Sequence, residues 1–214
     1  DVWYQNAALV YVPLIVIAAI LAWALLKSVP VVANFREQFD IFSNKDTWLM
    51  TLLYLMTFGA FAGFSAQFGL LIKNLFGAGN AAIVETMSDG TTQLLLTGYT
   101  VPDPIKYVFW GPLIGAGARI VFSPLTDKTG GAPWTLVSGI GLLTASIFTS
   151  MHLTPDVAAG PAAVQSDFNA FFWGMLAIFF FAGIGNASTF KQMPMIFKPR
   201  QAGGVLRWTA AIAA

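Results

Sequence analysis

Cysteine is absent from this chain and histidine occurs once, at His152. Without cysteine there is no disulfide, no thiolate nucleophile and no cysteine-ligated metal. A single histidine builds neither a metal nor a haem site, so no cofactor and no metal is expected, and an enzymatic or haem-bearing respiratory subunit is disfavoured. Charge is scarce: 10% of the 214 residues are charged, against ~25% in ordinary soluble domains. The net charge of +1 offers no handle to nucleic acid or to a strongly acidic partner. Aspartate and glutamate are missing from the long apolar runs. There is also no low-complexity tract, no close internal repeat and no stretch that reads as a soluble domain.

What remains is apolar. Hydrophobic residues make up 57% of the chain, and several uncharged runs exceed the ~18 residues that mark a membrane-spanning helix. The fold class is therefore all-α, a polytopic membrane protein with the lipid bilayer as its surroundings. Five complete spans are expected at Ala7–Leu26, Thr47–Ile72, Tyr107–Thr126, Thr135–Met151 and Asn169–Met195, with a truncated sixth starting near Trp208. Long, continuously apolar segments exclude a β-barrel, whose strands alternate.

Loop charge sets the orientation. Lys27, Arg36, Lys45, Lys128, Lys198, Arg200 and Arg207 fall in the first, third and fifth loops, and only Lys73 and Lys106 in the second and fourth. The odd loops are expected in the cytoplasm and Asp1 outside. The second loop, Lys73–Lys106, holds the turn signals "SDG", Gly98 and "PDP" and reads as an external excursion with partial helix. The first loop, Lys27–Asp46, reads as a cytoplasmic connector with a short amphipathic piece, "VVANFREQF". The first apolar stretch lacks a basic flank and a cleavage site, so it is not a signal peptide. Starting at Asp1 and stopping inside the apolar "RWTAAIAA", the chain reads as part of a longer protein.

Arg119 stands out. It lies inside the third span, where a charge costs ~3 kcal/mol or more, and no carboxylate shares the spans with it. Its expected partner is a small anion in transit. "GPLIGAGAR" sets Gly111, Gly115 and Arg119 four residues apart on one helix face, and "FGAFAGF" supplies Gly59 and Gly63 on the preceding span. Such stripes either let helices pack closely or form the wall of a polar path. By depth, Arg119 lies ~10 Å from the inner end of its helix, with its side chain leaning toward the membrane centre. Tyr54 and Phe58, one turn apart on the antiparallel second span, bracket that level. A cation, a phenol and an aromatic ring at one depth can form a small anion site.

Other polar residues have structural readings. Asn186, Ser188 and Thr189 either hydrogen-bond neighbouring helices or line the cavity. Lys191 is expected to snorkel to the cytoplasmic interface, Gln67 to bond between helices, and His152 to sit at an outer helix end. Gly130 and Gly131 allow a tight cytoplasmic reversal. Asp127 could pair with Lys128 or with the start of a neighbouring helix.

"SPLTDKTGG", carrying Asp127, Lys128, Gly130 and Gly131, resembles the cytoplasmic loop motif of the major facilitator superfamily. "LLYLMTFGAFAGFSAQF", "WGPLIGAGARIVFSPLTDKTGG" and "GIGNASTFKQMPMIF", in that order, are similar to the nitrate/nitrite porter (NarK-like) family of that superfamily. The likeness covers essentially the whole chain. It implies that residues 1–28 are the last helix of a first six-helix half, 29–46 the connector between halves, and 47–214 the second half from helix seven into helix eleven. It further implies nitrate and nitrite as substrates, a first half supplied by the rest of the protein, and a bacterial inner-membrane location. Arg119 matches the family's substrate arginine, Tyr54 the tyrosine that hydrogen-bonds nitrate, and Phe58 the ring packed on its plane. Ser123 replaces the first glycine of the loop motif, and no basic residue follows Gly131, which bears on gating at the cytoplasmic side.

A planar guanidinium can donate two parallel hydrogen bonds to a flat oxyanion, in accord with that implication. The expected activity is alternating-access transport of nitrate and nitrite, with exchange preferred because the spans hold no carboxylate to carry a proton. The alternatives are nitrate/proton symport and a superfamily carrier of another small anion.

Overall fold

The computed structural model describes residues 4–26, 35–87 and 91–213. Asp1, Lys27, the first part of the expected connector (27–34) and the "SDG" turn lie outside the described residues. The chain divides into two units, 1–34 and 35–214. In the first, α1 (Tyr4–Leu25) is an uncharged helix with Pro13 inside it. Its 22 residues reach ~33 Å at 1.5 Å per residue, the thickness of a bilayer core.

The second unit opens with a 3-10 helix, Phe35–Ser43, and then α2, Lys45–Tyr54. Asn44 caps α2 by accepting the Asp46 N–H at 3.0 Å, the usual role of an amide at this position. A π-helical turn, Leu55–Gly59, joins α2 to α3 (Ala60–Phe76). There the Ala60 N–H reaches Leu55 O, and the buried Thr57 hydroxyl donates to the carbonyls of Leu53 and Tyr54. π turns of this kind re-aim side chains within an otherwise regular helix and recur at functional sites.

Further along come α4 (Trp110–Thr129), α5 (Ala132–Ser150), α6 (Pro161–Ile196) and α7 (Pro199–Ala213). Among the described residues four helices are long and apolar enough to cross a membrane: Lys45–Phe76, Pro104–Thr129, Ala132–Ser150 and Pro161–Ile196. The described apolar part of α1, Tyr11–Leu25, is shorter. This is an integral membrane protein of helical-bundle type.

Helix α6 is the axis of the second unit, packed against both α4 and α5. Small residues make that contact close. A Cβ at Gly183 would overlap the Gly115 carbonyl, and one at Gly115 would lie 2.6 Å from the Phe61 ring and 2.9 Å from Phe179 O. Lipid supplies no hydrophobic drive for helix pairing, so backbone approach of this sort is what holds such helices together. Phe68, Phe76, Phe171, Phe179 and Met175 fill the core toward one end. Met50, Tyr54, Met193, Phe197 and Val205 fill it toward the other.

Several expectations are corrected. The second loop carries the expected partial helix as a 3-10 turn, Pro104–Lys106, and also an unanticipated two-stranded antiparallel hairpin, Val84–Thr86 paired with Thr92–Leu94. Three-residue strands leave no alternation long enough to read. The Tyr99 hydroxyl donates to Phe76 O at 3.0 Å and ties this loop to the end of α3. Asp127 and Lys128 lie in the last turn of α4, and the reversal is made by Gly130, with φ of +85°, and Gly131. Helix α6 starts at Pro161, eight residues before the expected Asn169, so Asp167 belongs to it. Arg200 and Arg207 are helical, in α7. Asp127 pairs with Lys191, whose ammonium meets its Oδ1 at 2.7 Å, where Lys128 or a helix start was expected as its partner. His152 Nδ1 lies 3.0 Å from Asp167 Oδ1, across the α5–α6 connection.

Candidate functional site

Four elements meet around Arg119. Helix α4 brings Gly115, Ala116, Arg119 and Ile120, the π turn and α3 bring Phe58 and Phe61, and α6 brings Gly183 and Asn186. Together they line a cavity of about 350 Å³. Ile120, 72% exposed, marks its open side. Arg119 is exposed there as well. The described residues leave this face of α4 uncovered.

The guanidinium carbon of Arg119 lies 5.1 Å from the ring centroid of Phe190. Among the described residues no carboxylate pairs with it, so its positive charge is held against an aromatic face alone. A cation over such a face gains ~0.5–2 kcal/mol depending on hydration, which leaves the fork of N–H donors unspent. Phe190 meets Tyr54 edge-on at 5.2 Å, and Tyr54 stacks on Phe58 at 5.3 Å with 13° between planes. Phe58 continues to Phe61 at 6.4 Å. The result is a run of rings beginning under the cation and ending in the cavity wall.

Tyr54 and Phe58 are thus brought together with Arg119, in different layers. Phe58 lines the cavity. Tyr54 is 3% exposed and backs Phe58, and its hydroxyl forms no hydrogen bond to a described residue. Phe190 went unnoticed in the sequence among 19 phenylalanines. Its position one helical turn after Asn186 was the available signal.

The other candidates separate by contact. Gly115 belongs to the wall, and Gly111 receives the Phe179 ring. Gly59 would set a Cβ 2.9 Å from a Leu55 methyl of its own helix, and Gly63 faces open space with Gln67 in a shallow groove. Neither is a tight helix–helix contact here. Ser188 and Thr135 share a hydrogen bond of 2.7 Å, and Gln192 Nε2 donates to Thr135 at 2.6 Å. Thr189 returns its hydroxyl to Gly185 O at 2.8 Å. Ser188 thus ties α6 to α5 and Thr189 bonds within α6; Asn186 alone of the trio lines the cavity. Asp127, Lys191 and Gly131 lie at the end of the bundle away from the hairpin, where Gly131 packs on the Ser188 carbonyl and Gln192.

No family model matches the chain. Curated proteins do. Over 213 residues, the whole chain, it is 48% identical to the "Probable nitrate/nitrite antiporter NarK2" of Thermus thermophilus. Over 194 residues it is 32% identical to the "Nitrate/nitrite transporter NarU" of Escherichia coli K12, and over 196 residues 32% identical to NarU of Salmonella typhimurium. The chain belongs to the nitrate/nitrite porter family. It spans 42% of the length of NarK2 and 36% of either NarU, and 90% of the chain takes part in the NarU matches. Porter-family membership also places it in the major facilitator superfamily, consistent with the α-helical bundle observed.

Proposed function

We propose that the protein carries nitrate and nitrite across a bacterial inner membrane by alternating access, exchanging one ion for the other. The observation that carries this reading is Arg119, set over Phe190 in a cavity wall and unpaired by any described carboxylate. Arg119 binds two oxygens of the planar ion through parallel N–H donors. The Tyr54 hydroxyl adds a directional hydrogen bond, and the Phe58 face selects a flat ion over a spherical one. In this reading residues 1–28 close a first six-helix half, 29–46 connect the halves, and 47–214 form most of the second. Helices supplied by the rest of the complete protein cover the exposed side of Arg119, and the two halves rock about the ion.

Exchange is favoured by the lining itself, whose sole ionisable member is Arg119. One cation neutralises one monoanion, so an emptied site must refill with another anion before the charge is again screened. The relatives' names, an antiporter and two transporters of nitrate and nitrite, support the substrate pair. The test is uptake of labelled nitrate into proteoliposomes containing the complete protein. Internal nitrite should be required and an imposed pH gradient should not substitute for it. Uptake driven by the pH gradient into vesicles free of nitrite would overturn exchange.

A further inference from the structure

Asn186 is 3% exposed and lines the Arg119 cavity, and its side-chain amide makes no hydrogen bond to any described residue: Oδ1 is buried without a partner and the N–H donors are unspent. An unsatisfied buried amide is costly, by the desolvation of a group that water would otherwise bind. Its neighbours behave otherwise. Ser188 bonds to Thr135 and Thr189 to its own helix, so the polar patch on α6 is structural except at Asn186. Packing is not the explanation either. A leucine is of similar size and would leave nothing unbonded in an otherwise apolar wall of Phe58, Phe61, Gly115 and Gly183.

We infer that Asn186 is the residue that discriminates nitrate from nitrite, its amide N–H donating to the third oxygen of nitrate. The inference rests on the transport reading above. Nitrate has three acceptor oxygens and nitrite two. The fork of Arg119 takes two in either ion, leaving one nitrate oxygen for a donor on another helix. An amide suits that place because it donates without adding charge, so it strengthens nitrate binding without trapping either ion. A site that hydrogen-bonds a particular substrate atom rejects the analogue lacking it more strongly than shape alone can. The helix contact through Gly115 and Gly183 fixes α4 against α6 and so fixes the spacing of the two donors.

The experiment is transport kinetics for each ion separately in proteoliposomes of the complete protein, unmodified and as Asn186→Leu. The nitrate KM is expected to rise about tenfold or more, as for loss of one hydrogen bond to a charged group, with the nitrite KM changing less than about twofold. The readout is a ratio within one preparation, so a partial folding defect cancels. Should Asn186→Leu fail to fold, Asn186→Thr, which keeps a hydroxyl donor on a shorter arm, should raise the nitrate KM alone by a smaller factor. Equal changes for the two ions, or none, would overturn the role of Asn186 and leave the transport reading standing. Unmodified protein that moves neither ion would overturn the transport reading first, and this one with it.

Discussion

Arg119 and Phe190 come from helices α4 and α6 and meet with the guanidinium carbon 5.1 Å from the ring centroid. The ring gives the cation a resting place that takes none of its hydrogen-bond donors. A carboxylate in the same place would bind the guanidinium in bidentate fashion and compete with any incoming oxyanion. An aromatic face holds the charge loosely and in a defined plane, which suits the binding and release that the proposed transport cycle requires.

Replacing the planar fork should abolish most transport even with the charge kept. Arg119→Lys retains the cation but presents a point charge in place of two parallel donors. Nitrate uptake in vesicles is expected to fall by about two orders of magnitude, as for loss of a bidentate charge-assisted pair. Near-normal uptake would contradict the assigned role.

Phe190→Leu removes the ring beneath the cation while keeping an apolar side chain. The cation–π term predicts a loss of nitrate affinity of about threefold to thirtyfold. Phe190→Tyr should stay close to the parent protein. Competition binding of nitrate to purified protein distinguishes the two variants.

Gly183→Ala and Gly63→Ala form a matched pair. The first drives a methyl into the Gly115 carbonyl and should cost about 1–3 kcal/mol of stability, seen as a lowered midpoint in detergent melts. The second meets nothing within 4 Å and should lie within about 0.5 kcal/mol of the parent.

The Lys191–Asp127 pair joins the ends of α6 and α4 with side chains 36% and 55% exposed. Such a pair is worth less than about 1 kcal/mol in stability. Asp127→Asn should therefore fold normally, with a melting midpoint close to that of the parent. A midpoint lowered as far as in Gly183→Ala would show the contact to be structural.

Tyr99 offers a pH signature outside the spans. Burial pushes its phenol from the ordinary 10 up to about 12, with Tyr107 adding to the shift. A raised folded value means the neutral phenol is favoured in the fold. Its contribution is fully present below pH 10 and is lost as pH rises toward 12. Absorbance titration near 295 nm should show one tyrosine ionising last, and Tyr99→Phe should delete that step.

The sequence made Arg119 conspicuous because a charge within an apolar run has no bland explanation, and antiparallel depth counting put Tyr54 and Phe58 beside it. The stripe through Gly111 and Gly115 was legible from spacing. Phe190 was not, because its partnership depends on how far α6 slides along α4, and that register is fixed by Gly115 meeting Gly183. Nothing in "LMTFG" signals a π turn, whose cause is a local shift of hydrogen bonds. The Lys191–Asp127 contact joins residues on different helices that no local periodicity connects. Asn186 could be suspected as polar, but its separation from Ser188 and Thr189 required seeing which hydroxyls were already bonded.

Helix α6 runs 36 residues without interruption, ~54 Å of rod in a slab only ~30 Å thick. Near one end Asp167 engages His152, and near the other Lys191 engages Asp127. In the proposed alternating-access cycle, a beam longer than the slab is thick would work as a seesaw. Pivoting by 5° about its middle would carry each tip ~2.4 Å in opposite directions, so that widening a mouth on one side and narrowing one on the other would be a single motion.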